Sequence, residues 1–220
     1  MKRHDLLALV GGAACFFPLA SVAQQRATTP PAPSACQQRL TPDHVIMHPL
    51  PSILGPGSCG AEDVVGLDAV VLKDGKRIAL ALAATLRCPM AETVARWIRE
   101  EVAPAAAATF GSSVHTVVTG TSYECRGRDR NPDAKVSEHG HANALDLRGL
   151  TLANGTAVDF TDKSAPKEFR DYIKQSACTN FTTVLGPGSD SYHENHIHVD
   201  LLERPGGYRL CQWDVSFNHD

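Results

Sequence analysis

Six cysteines, at positions 36, 59, 88, 125, 178 and 211, are strung along nearly the whole of a chain that opens with an export leader. An even set of cysteines in a chain leaving the reducing cytosol restricts the fold to one stapled by disulfides. The leader is read from Lys2 and Arg3, the apolar stretch Leu6 to Leu19, and Ser21-Val22-Ala23, a small-x-small cleavage pattern. Pro18 interrupts the apolar run, which also falls short of the roughly 20 residues that a spanning helix needs, so a membrane anchor is the weaker reading. Gly12 stands where a lipobox prefers Leu, which disfavours lipidation at Cys15, the seventh cysteine. No cysteine pair has the C-x-x-C spacing of structural zinc sites, so the six read as staples. Sequential pairing, 36–59, 88–125 and 178–211, is the expectation, because it closes three short loops.

Residues 1–23 are therefore expected to be a signal peptide. Residues 24–35, rich in Pro, Thr, Ala and Gln, form a spacer with nothing apolar to bury. Residues 36–220 make one domain, exported to the periplasm or secreted, with no transmembrane segment in the mature chain. The chain carries 21 Lys and Arg against 24 Asp and Glu, a net charge of −3, which leaves no footprint for nucleic acid.

Lys73-Asp74-Gly75-Lys76, between the apolar runs 67–72 and 77–80, predicts a hairpin. Met90, Val94, Trp97, Ile98 and Val102 recur at helical spacing behind Pro89, which suits a first turn. That helix should reach Pro104 or the alanines beyond. Strands are expected over 114–119, continuing through 123–126, then over 144–150 and 156–160 around Asn154-Gly155, and late at 182–185 and 197–201. A second helix should start after Pro166 and reach Cys178. Strands joined by hairpins rather than alternating with helices imply an α+β domain: a central antiparallel sheet with a few helices packed on it.

Five of the ten histidines fall in two windows, Ser137-Glu138-His139-Gly140-His141-Ala142-Asn143-Ala144-Leu145-Asp146 and His193-Glu194-Asn195-His196-Ile197-His198-Val199-Asp200. A strand alternates its side chains, so Ile197, Val199 and Leu201 face one side while His196, His198 and Asp200 face the other. Leu145 and Leu147 bracket Asp146 in the same way. Two imidazoles and a carboxylate pack poorly in a core but suit metal ligation and proton transfer. A catalytic zinc takes three protein ligands and keeps one position open. His139, Asp146 and one of His196 or His198 meet that requirement, and the remaining imidazole is then a general base toward the attacking water. His141 and His193 read as outlying or surface groups, and His44, His48, His115 and His219 carry no signal.

Ser137-x-His139-x6-Asp146 with the later His196-x-His198 resembles the signature of zinc D-alanyl peptidases: D,D-carboxypeptidases, lysostaphin-like relatives and the penicillin-insensitive murein endopeptidase. Ser122-Tyr123-x-Cys125-Arg126, Ser137-Glu138-His139, Asn143-Ala144-Leu145-Asp146, Ala177-Cys178, Phe181-x-Thr183-Val184-Leu185-Gly186-Pro187 and His193-x-x-His196-x-His198-x-Asp200 together resemble the bacterial extensin-like C-terminal domain family, over roughly Cys36 to Cys211. The resemblance implies zinc on His139, Asp146 and His198, with His196 as the catalytic base. It implies hydrolysis of peptidoglycan stem or cross-link peptides, as a D,D-endopeptidase or carboxypeptidase. The peptidase signature has Gly where this chain has Ala142.

Arg126, fixed beside Cys125, is expected to grip a substrate carboxylate or a developing oxyanion; its plain alternative is an ion pair with Glu124 or Asp129. Ser137 is expected to bond substrate or cap the turn before His139, and His193 to lie behind the ligands or touch substrate. Asp200 is expected to orient His196 or pair with Arg204. Two other functions compete with hydrolysis: a periplasmic wall-binding module that does not cut, and a secreted domain that only stores metal.

Overall fold

The computed structural model describes residues 32–216, so the expected leader, most of the spacer and His219 lie outside the described residues. The described residues open with α1 (Ala35–Arg39), capped by the Ser34 hydroxyl, followed by β1 (Val45–Leu50) and the short pair β2 (Ile53–Leu54) and β3 (Gly60–Ala61). The Asp74-Gly75 hairpin joins β4 (Val64–Val71) to β5 (Arg77–Arg87), and Gly75 takes a φ of 81° that suits glycine.

A single helical run then crosses over as α2 (Cys88–Trp97), a π-helical turn at Ile98–Val102, and α3 (Ala103–Phe110). Proline lacks an N–H and its ring crowds the carbonyl four residues earlier. The wide turn just before Pro104 accommodates both defects and lets the helix continue to the alanines. Such a crossover delivers β6 (Val114–Thr119) parallel to β5, one of two parallel joins in a sheet that is otherwise antiparallel, as expected. The chain continues through β7 (Ala144–Leu152), β8 (Ala157–Asp159), α4 (Lys167–Asn180), β9 (Thr183–Leu185), β10 (Ile197–Asp200) and β11 (Leu210–Gln212).

The nine-stranded sheet runs β1-β4-β5-β6-β7-β10-β9-β11, with β8 on β7. It is mixed but mostly antiparallel, parallel only at β5/β6 and β9/β11 among its pairings. The long helices bury their apolar sides against one face. Trp97 meets Phe181 edge-on at 5.5 Å and donates its indole N–H to Ser176 Oγ at 2.9 Å, while Phe110 packs on Phe169. Leu145, Leu147, Ile197 and Val199 are fully buried in this core. Each such side chain contributes about 1.5–3 kcal/mol by leaving water, which fixes the register of β7 and β10. The opposite face of the same two strands is thereby free to carry polar groups.

The disulfides join Cys36 to Cys88, Cys59 to Cys125 and Cys178 to Cys211. Only the third follows the expected sequential pairing. Proximity here is set by the sheet and helix order rather than by chain distance: Cys36 on α1 packs against the start of α2, and Cys59 reaches the loop after β6. Residues 123–126 are not a strand either. Ser137 N–H bonds to Arg126 O at 3.0 Å, and an isolated bridge pairs Gly127 with Val136, so this stretch forms an irregular hairpin with the segment entering the His139 turn.

Candidate metal centre

In the β7/β10 pair, Asp146 stands directly opposite His198. Cross-strand partners on one face lie about 4.5–5.5 Å apart at Cβ, so the register alone brings these two side chains together. His139 arrives from the 3₁₀ turn Glu138–His141 just before β7. Ser137 accepts from His139 N–H at 3.4 Å, and Asn143 donates to the Glu138 carboxylate at 2.7 Å. Ser137 therefore caps the turn, as one of its two expected roles required. The turn closes on Ala142, whose φ of 50° and ψ of 30° lie in the left-handed region. The glycine of the peptidase signature would stand there without strain; alanine pays a cost of about 1 kcal/mol, offset by burying its methyl beside Ala61 and Val64.

Three donor atoms converge at the centre. His139 Nε2 lies 3.1 Å from His198 Nδ1, and Asp146 Oδ1 lies 3.2 Å from each. All three side chains are nearly excluded from solvent. The outer ring atoms fix which nitrogen carries hydrogen: His139 Nδ1 donates to the Ser122 carbonyl at 2.7 Å, and His198 Nε2 donates to Asp200 Oδ2 at 3.1 Å. With both imidazoles neutral, the inner atoms are two bare lone pairs and a carboxylate oxygen facing one another. That arrangement is repulsive unless a cation stands among them.

A proton on His198 relieves the same repulsion. Burial pushes His198 toward neutrality, but its bonds to Asp146 and Asp200 outweigh this and raise its pKa from 6.5 to about 9. Asp146 behaves as the counterpart: burial disfavours its charge, yet His139 and His198 hold it far below the ordinary carboxylate range. The donor set also fits a metal cation. A tetrahedral ion with ligands at 2.0–2.2 Å separates its donors by about 3.3–3.6 Å, close to the spacing found, and imidazole–carboxylate sets suit such an ion. The carbonyl behind His139 and the carboxylate behind His198 are the supports that orient ligating histidines.

His196 stands one step out. Its Nδ1 donates to Asn195 Oδ1 at 3.0 Å, which turns Nε2 inward to 3.6 Å from Asp146 Oδ1. Burial holds its pKa below 6.5, helped by the neighbouring His193, His198 and Arg148 and opposed by Asp146, so it is neutral and able to accept a proton at neutral pH. His193 is closer than a surface group would be: its ring lies 5.3 Å from that of His196 and 5.6 Å from that of His198, and its Nδ1 is held by Asp190 at 2.7 Å. His141 faces away, toward Gly60 O, and His48 and His115 pair with Asp68 and Thr116 elsewhere.

Asp200 meets His198, neither His196 nor Arg204. Two residues along a strand is the nearest same-face separation, so His198 intervenes. Arg204 instead bonds Thr182 O and Thr183 Oγ1. Arg126 lines the cleft, with Nε on Glu124 at 2.8 Å. Sequence reasoning missed the roles of Asp190, Asn195 and the Ser122 carbonyl. It also missed Gly120, where an added Cβ would stand 3.2 Å from that of Asp146. Asp190 carried a legible hint, an Asx turn to Tyr192 N–H just before the histidine run.

The ligand atoms open onto a cleft of about 430 Å³ bounded by Arg126, Arg148, Asp190, Tyr192 and Arg204. The family described as Extensin-like protein C-terminus matches residues 34–212, which covers both histidine windows, all six cysteines and the whole sheet. The chain belongs to the extensin-like C-terminal family. No curated protein and no solved structure was found to match it. The extensin-like domain is thus one disulfide-stapled α+β unit whose motifs meet at a single centre. Its three disulfides accord with export, and no described helix is long and apolar enough to cross a membrane.

Proposed function

We propose that this extensin-like domain is a zinc-dependent hydrolase of peptidoglycan stem or cross-link peptides, of the D,D-endopeptidase or carboxypeptidase type, working in the periplasm or outside the cell. The observation that carries the reading is the convergence of His139 Nε2, His198 Nδ1 and Asp146 Oδ1, two lone pairs and an anionic oxygen at 3.1–3.2 Å with both rings locked from behind. Zinc held there would polarise an amide carbonyl and acidify a water to a pKa of about 7.

His196 takes a proton from the attacking water at its inward Nε2 and returns it to the leaving amine. Its lowered pKa leaves the ring unprotonated at neutral pH and ready to pass a proton on to the amine, and Asn195 keeps the accepting nitrogen aimed at the centre. Arg126, anchored through Nε by Glu124 and Nη1 by the Gly127 carbonyl, lines the cleft and offers Nη2 to the developing oxyanion. The substrate class rests on the similarity of Ser137-x-His139-x6-Asp146 and His196-x-His198 to the zinc D-alanyl peptidases, together with the features of export.

The test is to incubate purified protein, with zinc or with chelator, with peptidoglycan, and to separate the products by mass. Loss of cross-linked dimers marks an endopeptidase, and loss of terminal D-Ala from monomers a carboxypeptidase. His196→Ala should retain zinc and lose cleavage. No new product from the zinc-loaded parent would overturn the reading.

A further inference from the structure

Five guanidinium groups, Arg126, Arg128, Arg130, Arg148 and Arg204, line a cleft otherwise built around a metal centre. Three are engaged. Arg126 and Arg130 share Glu124, and Arg204 ties down the start of β9. The cleft's carboxylates are largely committed too: Asp146 to the histidines, Asp190 to His193, Asp200 to His198 and Glu138 to Asn143. Arg128 is carried on the exposed loop turn with Asp129.

Arg148 is different. It lies on β7 two residues after Asp146 and lines the same cleft, at a β-bulge where the pairing with β6 shifts between Thr119–Leu147 and Val118–Gly149. Its side chain is exposed to the cleft and has no hydrogen-bond or ion-pair partner among the described residues. A cation set at a bulge two residues from Asp146, facing the cleft and left without a counter-charge, is a receptor for an anion.

We infer that Arg148 anchors a free carboxylate on the residue that supplies the amine of the scissile amide, so that the substrates of this centre are peptides bearing a carboxylate one residue from the bond cut. Neighbouring α-carbons are about 3.8 Å apart, which places such a carboxylate within reach of an arginine side chain rooted two residues from Asp146. The inference rests on the hydrolase reading above and adds its specificity. Arg148 contacts substrate but takes no part in proton transfer.

Two substrate pairs test it: an acyl-D-alanyl-D-alanine and a cross-linked muropeptide dimer, each with the amine-side carboxylate free or converted to carboxamide. The parent should favour the free acid by about tenfold or more in kcat/KM, the range expected of a charge-assisted bond at a partly solvated site. Arg148→Gln should erase that preference, so that free acid and carboxamide are cut with the same kcat/KM, and Arg148→Lys should restore part of it. A parent indifferent to amidation, or an Arg148→Gln protein that retains the preference, overturns the inference while leaving hydrolysis intact. Should the parent cut neither pair, calorimetry with the same free-acid peptides decides: binding weakened about tenfold by Arg148→Gln upholds the anchor as the hydrolase reading falls. Binding that is absent, or unchanged by the variant, overturns the anchor.

Discussion

Replacing Asp200 by Asn changes one atom of the second layer and nothing that touches the metal position. Asp200 Oδ2 accepts from His198 Nε2 at 3.1 Å, while Oδ1 accepts from Leu202 N–H at 2.9 Å. Asparagine keeps the second bond with its oxygen, so the turn after β10 survives, and presents its NH₂ to His198. An amide donor there favours the tautomer with hydrogen on Nδ1, the very atom that faces His139 and Asp146. Metal binding must then displace that hydrogen and forgo the carboxylate's support. Loss of such an outer partner costs 10–100-fold in metal affinity, about 1.4–2.7 kcal/mol. Competition titration of zinc against a chromophoric chelator measures it directly, with metal-free thermal melts to confirm that the fold persists. An Asp200→Asn protein with parental zinc affinity would refute the claim that His198 is oriented from Nε2 and ligates through Nδ1.

The same centre sets a pH dependence. His198 has its pKa raised from 6.5 to about 9 in the metal-free fold, so the stability it contributes is complete below about pH 6.5 and is lost as pH rises through about 9. The metal-free melting temperature should therefore fall between neutral pH and pH 10, and zinc should remove that fall; calorimetry in buffers of different ionisation enthalpy should also record proton release on binding. Asp146 acts in the other direction: its depressed pKa gives stability that is present above its ordinary pKa of 3.8 and disappears as the solution becomes strongly acid. Gly140→Ala would drive a Cβ to 2.5 Å from Val136 Cγ1 and 3.1 Å from Cys59 Sγ, displacing the His139 turn, so zinc affinity and melting temperature should drop together. Removing the Cys59–Cys125 bridge, 66 residues apart in sequence, should lower stability by about 4 kcal/mol if chain entropy governs, read by denaturant unfolding. Ala142→Gly should leave stability nearly unchanged, because relief of the left-handed backbone and loss of a buried methyl are each about 1 kcal/mol.

Much of the centre was legible because apolar residues enforce it. Leu145 and Leu147, then Ile197 and Val199, dictate which way β7 and β10 face, and the histidines and Asp146 follow from alternation. Periodicity likewise announced the α2–α3 run and the Asp74-Gly75 hairpin. What escaped depends on contacts between distant segments. The pairings Cys36–Cys88 and Cys59–Cys125 follow from how α1 and the 123–128 loop pack, which chain spacing does not encode. β1 was missed because its Val45–Leu50 run contains His48 and Pro49, residues that a strand tolerates at a sheet edge. β11, three residues long, has no period to read. The parallel join of β5 to β6 required recognising that one long helix could serve as a crossover.

Zinc content bears most directly on the centre itself. The protein, purified, stripped and reloaded, should hold one zinc per chain by elemental analysis, and His139→Ala, Asp146→Ala and His198→Ala should each lose it while His196→Ala keeps it. A parent that binds no zinc, or three ligand variants that all retain a full equivalent, would contradict the account.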